Sequence, residues 1–342
     1  MPVQKASAAN FSQFIIFGDS LSDTGNVSNI TQSLLGVPIP PSPPYAPGRF
    51  SNGEVWVDYL GKNIGLTPTL FTDLSKTPPT QGINFSVGGS STGDSNAFIP
   101  NAPGVSEQAS LFTQLLQANN QKADPNALYA VWGGGNDYLF GQNFDVEQTI
   151  KDLSNTIGGL AQAGAKNILV FNLPDLGKSP LVSGSPNASN LTTLTNIHNA
   201  GLTNALGSLS NIPGINLIPV DVNSLFERVV ANPEAFGFKN AKEPCVVYKV
   251  EINQVLSQCD NPNDYVFFDE VHPSTNAHKL VAQTALAAIR AKSVPESSAS
   301  LGISVLGALG VVGMLKRKHK QRTFSQAGRV LDEQSSQTVV ES

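Results

Sequence analysis

The sequence predicts an α/β fold in three layers, with helices on both faces of a central, mostly parallel sheet of five strands. Two observations predict it. Short apolar runs alternate along the chain with longer stretches of helical apolar spacing, and strands alternating with helices build a parallel sheet covered on both faces. Several runs also end abruptly in Gly- or Pro-bearing turns, as buried strands do where the chain turns outward. Of the 342 residues 40% are hydrophobic, enough for the core of one large domain or two ordinary ones.

The five predicted strands are 14–17, 83–87, 128–132, 168–171 and 215–220. The first ends at Gly18, the third in Gly133-Gly134-Gly135 and the fourth in Asn172-Leu173-Pro174-Asp175. Pro219 falls late in the last run, which places that strand at or near an edge. Predicted helices are 54–64, 106–118, 146–163, 193–209, 222–230 and 274–289, the last opening on Pro273-Ser274-Thr275. Ligands of such sheets bind where loops leave the carboxyl ends of the strands. That rule brings 18–26, 88–93 and 133–138 to one rim. Residues 36–53 form a loop with prolines at 38, 40, 41, 43, 44 and 47. A loop so stiffened either walls a pocket or is a surface excursion.

Composition removes some functions. Only 14% of residues are charged and the formal net charge is −5, the opposite of the basic face that nucleic-acid binding needs. Cys245 and Cys259 read either as buried free thiols or as a disulfide suited to an exported protein. Nothing between them completes a zinc site.

The chain ends carry a separate signal. Residues 1–13 form a leader expected to be disordered, without the apolar run of a secretory signal, although Ala6-Ser7-Ala8 has the small residues of a cleavage site. Residues 299–315 carry no charge and are followed by the basic cluster 316–322. Seventeen apolar or small residues before a basic stop read as a short membrane-spanning or sorting segment. With Val294-Pro295-Glu296-Ser297 ahead of it, this stretch resembles a PEP-CTERM sorting signal, although the motif reads VPES and a polar tail, 323–342, follows. Membrane or cell-surface association through 299–322 is thus the expectation.

The chemistry-bearing residues lie on the predicted rim. Ser20, in Gly18-Asp19-Ser20-Leu21-Ser22, sits just past a buried strand, where a tight turn can expose its hydroxyl. A serine nucleophile needs a base and an orienting carboxylate. His272 in Asp269-Glu270-Val271-His272-Pro273 offers both, because Asp269 three residues earlier can hold one ring nitrogen and leave the other for Ser20. Metal ligation by Asp269, His272 and His278 is the competing reading, but the spacing matches no metal motif and no Cys assists. His278 reads as a helix-surface residue, His198 as structural, and His319 as part of the basic cluster. Donors for an oxyanion are available in Ser86-Val87-Gly88-Gly89-Ser90 and in Gly134-Gly135-Asn136-Asp137. Neither loop has the Gly-Lys-Ser/Thr ending of a P-loop or a G-x-G-x-x-G turn.

Taken in order, FIIFGDSLSDTGN (14–26), INFSVGGS (83–90), GGGNDYL (133–139) and DEVHPSTNAH (269–278) resemble the blocks of the SGNH or GDSL esterases and lipases. GRFSNGEVWVDYLG (48–61) and FNLPDLGKSP (171–180) resemble the subgroup holding plant GDSL lipases and bacterial lecithinase-like esterases. The resemblance spans about 14–292 and implies a flavodoxin-like SGNH hydrolase domain there. It implies Ser20 as nucleophile, His272 as base and then acid, and Asp269 as its partner. It also implies an oxyanion hole of the Ser20 N–H, the Gly89 N–H and the Asn136 side chain, with Gly88 as the competing second donor. Gly89 is preferred from its offset to Asn84. The expected reaction is hydrolysis of a carboxylic ester through an acyl-enzyme, without metal or organic cofactor. Long-chain lipids, short-chain esters and acetylated surface glycans all fit. A non-catalytic surface-binding protein on the same fold is the reading from another class.

Overall fold

The computed structural model describes residues 10–141, 144–249 and 254–293. The apolar segment 299–315, the basic cluster, the VPES motif, the polar tail and most of the leader lie outside the described residues. The chain divides into two units, Met1–Ala291 and Lys292–Ser342, and the central sheet belongs to the first.

That sheet has six strands where the sequence predicts five. They are β1 (Phe14–Gly18), β2 (Thr69–Leu70), β3 (Ile83–Asn84), β4 (Leu128–Trp132), β5 (Asn167–Phe171) and β6 (Asn216–Val220). Their order is β2-β3-β1-β4-β5-β6 and every pairing is parallel. The sequence misses β2 because two residues carry no period, and it overextends β3 for the same reason. Strand β6 is an edge, where the N–H that Pro219 lacks is not needed by a further neighbour.

Alternation along β1 divides the core. Phe14 and Ile16 join Trp132, Leu169 and Ile218 against α2 (Trp56–Ile64), α7 (Val222–Ala231) and α8 (Thr275–Ser293). Ile15 and Phe17 join Tyr129, Val131 and Ile168 against α3 (Val105–Ala118), α5 (Val146–Ala163) and α6 (Ala188–Leu209). Both faces of β1 are fully buried, so its sequence is a continuous apolar run. Truncating Phe14 or Phe17 to Ala would cost about 3–5 kcal/mol.

Two further helices are not among those predicted. α1 (Asn26–Leu35) carries apolar residues at helical spacing, Val27, Ile30, Leu34 and Leu35, yet buries only Asn26, Val27 and Thr31 and leaves Leu34 and Leu35 exposed. α4 (Gly135–Leu139) is a single turn after β4. Beyond α7, β7 (Asn240–Pro244) pairs in parallel with β10 (Tyr265–Phe267), and β8 (Val246–Lys249) pairs antiparallel with β9 (Gln254–Gln258). Cys245 and Cys259 form a disulfide at the base of the β8–β9 pair, with a Cα–Cα distance of 4.8 Å.

Candidate active site

Strands β3, β1 and β4 are neighbours, and Gly89, Ser20 and Asn136 follow their carboxyl ends. The chain leaves β1 for β2 and β3 on one side and returns to β4 on the other, so these residues gather where the strand order reverses. The turn after β1 is tight. A Cβ on Gly18 would lie 2.9 Å from the Trp132 carbonyl oxygen and 3.0 Å from Ser22 Oγ. Gln108 of α3, fully buried, accepts from the Gly18 N–H at 2.8 Å and donates to the Gly18 carbonyl at 2.9 Å. The turn therefore has a fixed exit direction, and Ser20 lies at its apex.

His272 approaches from the loop after β10. Its Nε2 is 2.8 Å from Ser20 Oγ, and its Nδ1 is 2.8 Å from Asp269 Oδ2 and 3.0 Å from Oδ1. Asp269 Oδ1 also accepts the N–H groups of Val271 and His272, at 2.8 and 2.6 Å. Burial by itself would raise the Asp269 carboxyl, but the imidazole of His272 and these donors outweigh it and hold Asp269 below the usual carboxylate range. Serine, imidazole and ionised carboxylate thus form one continuous chain. Such a chain can draw a proton from Ser20 as its oxygen attacks and return it to a leaving group.

The donor side is equally defined. Asn136 Nδ2 donates one hydrogen to the Ser90 carbonyl at 2.9 Å, which fixes the amide and leaves its second hydrogen uncommitted. Gly88 and Gly89 differ. The Gly88 N–H donates to Asp23 Oδ2 at 2.9 Å, while the Gly89 N–H has no partner among the described residues. Gly89 sits at φ +85°, where a Cβ would meet Asn96 Oδ1 at 2.7 Å. Glycine is required there on both counts.

Sequence reasoning missed the residues that hold these blocks together. Asp23 accepts four backbone N–H groups, from Gly25, Asn26, Val27 and Gly88, and so holds the first turn of α1 and ties it to the second block. Its burial raises its carboxyl to about 6 against those donors, and burial raises Asp19 to about 6 as well. Asn26 donates to the Asn84 and Ser86 carbonyls, and Asn84 donates to that of Ser22. Asp137 takes both the N–H and the hydroxyl of Thr92. The signal was present: each lies inside one of the sequence blocks, close to a residue chosen for chemistry.

Two expectations change. His278 is not a surface residue. It is wholly buried, neither ring nitrogen has a partner among the described residues, and burial drives it down to about 3. No group of three or more His, Cys, Asp or Glu among the described residues is placed to hold a metal. The proline-rich loop 36–53 contributes no residue to the cleft beside Ser20, and although 36–38, 42, 43 and 47 are exposed, the loop is more than a surface excursion. It packs against the His272–Asp269 pair, with Phe50 stacked on His272 at 4.9 Å between ring centroids and Tyr45 Oη donating to Asp269 Oδ2 at 2.8 Å. His198, read from the sequence as structural, is buried with Nδ1 3.0 Å from Tyr138 Oη and is held down to about 4 by burial.

An apolar cleft opens beside Ser20 and Asn136, walled by Leu21, Trp132, Leu139, Leu176, Phe226 and Phe267. At its rim Lys178 Nζ lies 2.5 Å from both carboxylate oxygens of Glu227.

Residues 14–285 match the family model described as GDSL-like Lipase/Acylhydrolase. Among similar proteins, the thermolabile hemolysin of Vibrio parahaemolyticus is 30% identical over 80% of this chain and 62% of its own length. The phosphatidylcholine-sterol acyltransferase of Aeromonas hydrophila is 28% identical over 83% of this chain and 92% of its own. The chain spans 50% and 62% of the length of two of the curated relatives it matches. Among solved structures, a catalytic mutant of the acetylxylan esterase Axe2 from Geobacillus stearothermophilus is 14% identical and superposes with a TM-score of 0.43, over 81% of this chain and 94% of that one.

Proposed function

The chain belongs to the GDSL-like lipase/acylhydrolase family, and on that premise we propose that it is a serine hydrolase of carboxylic esters whose nucleophile is Ser20. The observation that carries the reading is the unbroken contact from Ser20 Oγ through His272 to Asp269. His272 removes the Ser20 proton as the oxygen attacks the ester carbonyl. The oxyanion is met by the N–H of Ser20, the N–H of Gly89 and the Asn136 amide. Collapse expels the alcohol, which takes its proton from His272. Water, deprotonated by the same imidazole, then cleaves the acyl-enzyme and regenerates Ser20.

The engagement of the Gly88 N–H by Asp23 favours Gly89 as the second donor. The apolar wall beside Ser20 favours an ester with an apolar acyl or alcohol chain over an acetylated glycan. We place the enzyme outside the cytoplasm, at a membrane or cell surface reached through 299–322. The disulfide supports an oxidising compartment, and the apolar run followed by a basic cluster supports the anchoring. Among the described residues no helix is long and apolar enough to cross a membrane, so the anchoring rests on the sequence of that segment.

Hydrolysis of p-nitrophenyl esters from acetate to palmitate tests the reading, with Ser20→Ala beside the wild type. Turnover that rises with acyl length and disappears in the variant is expected. Turnover restricted to acetate favours the glycan deacetylase. A folded wild type inert on every ester and on acetylated glycan would leave the surface-binding reading.

A further inference from the structure

The loop 36–53 makes contacts that acyl transfer by Ser20 does not itself use. Asp269 accepts from four groups. Three of them, the N–H of Val271, the N–H of His272 and the ring of His272, lie within three residues of it. The fourth, the Tyr45 hydroxyl, comes from 224 positions away and shares Oδ2 with the His272 ring. Tyr45 is buried, its ring edge-on to Phe268 at 5.1 Å and to Tyr248 of β8 at 6.1 Å. Five residues on, Phe50 lies nearly parallel to His272, with 29° between the planes. A Cβ on Gly88 would come within 2.6 Å of the Phe50 ring, so the glycine of the second block makes the room that Phe50 occupies.

The loop is tied down on both sides of these two rings. Arg49 grips Asp58 of α2 through two hydrogen bonds, Nε to Oδ2 at 2.8 Å and Nη2 to Oδ1 at 2.6 Å. Ser51 Oγ donates to the Pro273 carbonyl at 2.9 Å, and Asn52 Oδ1 accepts from the Thr275 N–H at 2.9 Å. The loop therefore moves with the segment that carries His272. None of its residues lines the cleft beside Ser20.

We infer that loop 36–53 is a brace for the acid–base pair, in which the Tyr45 hydroxyl fixes Asp269 and the Phe50 ring fixes the plane of His272. Both are positioning residues, and the inference rests on the reading of Ser20, His272 and Asp269 as the catalytic relay. The two act with opposite electrostatic sign. Tyr45 draws negative charge from Asp269 and so makes it a weaker partner for a protonated imidazole. Phe50 presents the electron-rich face of its ring and favours the protonated imidazole. Other titratable groups face this pair: Asp19 on the turn after β1, His278 on α8, and Glu270 and Tyr248 beside Tyr45. Substitution of Tyr45 or Phe50 leaves all of them in place.

The test is the pH profile of kcat/KM for Tyr45→Phe and Phe50→Leu, with an ester that the wild type hydrolyses. Tyr45→Phe keeps the ring and its packing and removes only the hydroxyl. Its acidic limb should move up by about half a pH unit, and the plateau should fall roughly three- to tenfold through kcat with KM held. Phe50→Leu should move the limb the other way, down by about half a pH unit. Limbs that stay at the wild-type position in Tyr45→Phe, or that move in the same direction in both variants, would overturn the inference, because loosened packing alone produces no opposed pair. Ser20→Ala run in the same series separates the two levels. If it is inactive while Tyr45→Phe matches wild type, only the brace fails; if it retains turnover, the catalytic reading itself fails.

Discussion

Replacing Asn136 by Ala removes one hydrogen-bond donor from the proposed oxyanion hole and little else. The amide donates to the Ser90 carbonyl at 2.9 Å and has its second hydrogen free on the side of the cleft that it lines with Ser20. Losing a donor to a developing oxyanion costs roughly 10²–10³ in kcat, or about 2.7–4 kcal/mol of transition-state stabilisation. Losing the Ser90 contact costs about 1 kcal/mol of fold stability, and Ala in α4 offsets part of that through its helix propensity. A domain of this size should then melt only about 2–4 °C lower, far too little to unfold it at assay temperature. Steady-state hydrolysis of p-nitrophenyl butyrate, with a thermal melt of each variant, separates the two effects. The expected outcome is a roughly hundredfold or greater fall in kcat, KM within about threefold and a near-native melt. A kcat within about threefold of wild type would refute the assignment of Asn136, and a loss seen only in KM would move it from transition-state contact to ground-state binding.

His278→Leu should leave activity in place and stabilise the fold, because it removes two buried nitrogens that have no partner among the described residues. His278 is held down to about 3 in the fold, so below about pH 6.5 the unfolded chain takes the proton and stability is lost as pH falls. The advantage of the Leu variant should therefore grow by about 2 kcal/mol between pH 8 and pH 5 in urea unfolding; an advantage that is flat with pH contradicts it. Burial of Asp19 and Asp23 at about 6 works in the opposite direction in wild type, which is why the comparison uses the difference between the two proteins. Cys245→Ala with Cys259→Ala should cost about 3 kcal/mol, from a closed loop with a sequence separation of 14. Because Tyr45, Cys245 and Phe268 share one cluster, turnover should fall with it; a variant with wild-type turnover and melting would separate the disulfide from the site.

The layers were legible because burial on both faces leaves no freedom in β1, β4 and β5. Each is a continuous apolar run that ends in a turn, and the sequence placed each within a residue or so of its observed bounds. Helix α5 was legible to the residue because a full apolar stripe runs its length, ending at Gly164 in the left-handed region. The sixth strand was not legible, since Thr69 and Leu70 form β2 only by pairing with β3. Helix α1 was overlooked although Val27, Ile30, Leu34 and Leu35 follow helical spacing, and its start is set by the Asp23 carboxylate. At the site, Ser20, Asp269 and His272 could be named from residue chemistry, because few other His stand near an acid. The role of Tyr45 could not. Its partner is 224 residues away, and only the folded chain brings the two within 2.8 Å.

Ser20 as a nucleophile activated by His272 is the claim on which the rest depends. The most direct measurement is labelling of the wild-type protein with a fluorophosphonate, followed by mass spectrometry of the modified peptide. One adduct per chain is expected, on Ser20, with labelling slowed at least roughly a hundredfold in His272→Ala. An adduct on another serine, or labelling of Ser20 at an unchanged rate without His272, would contradict it.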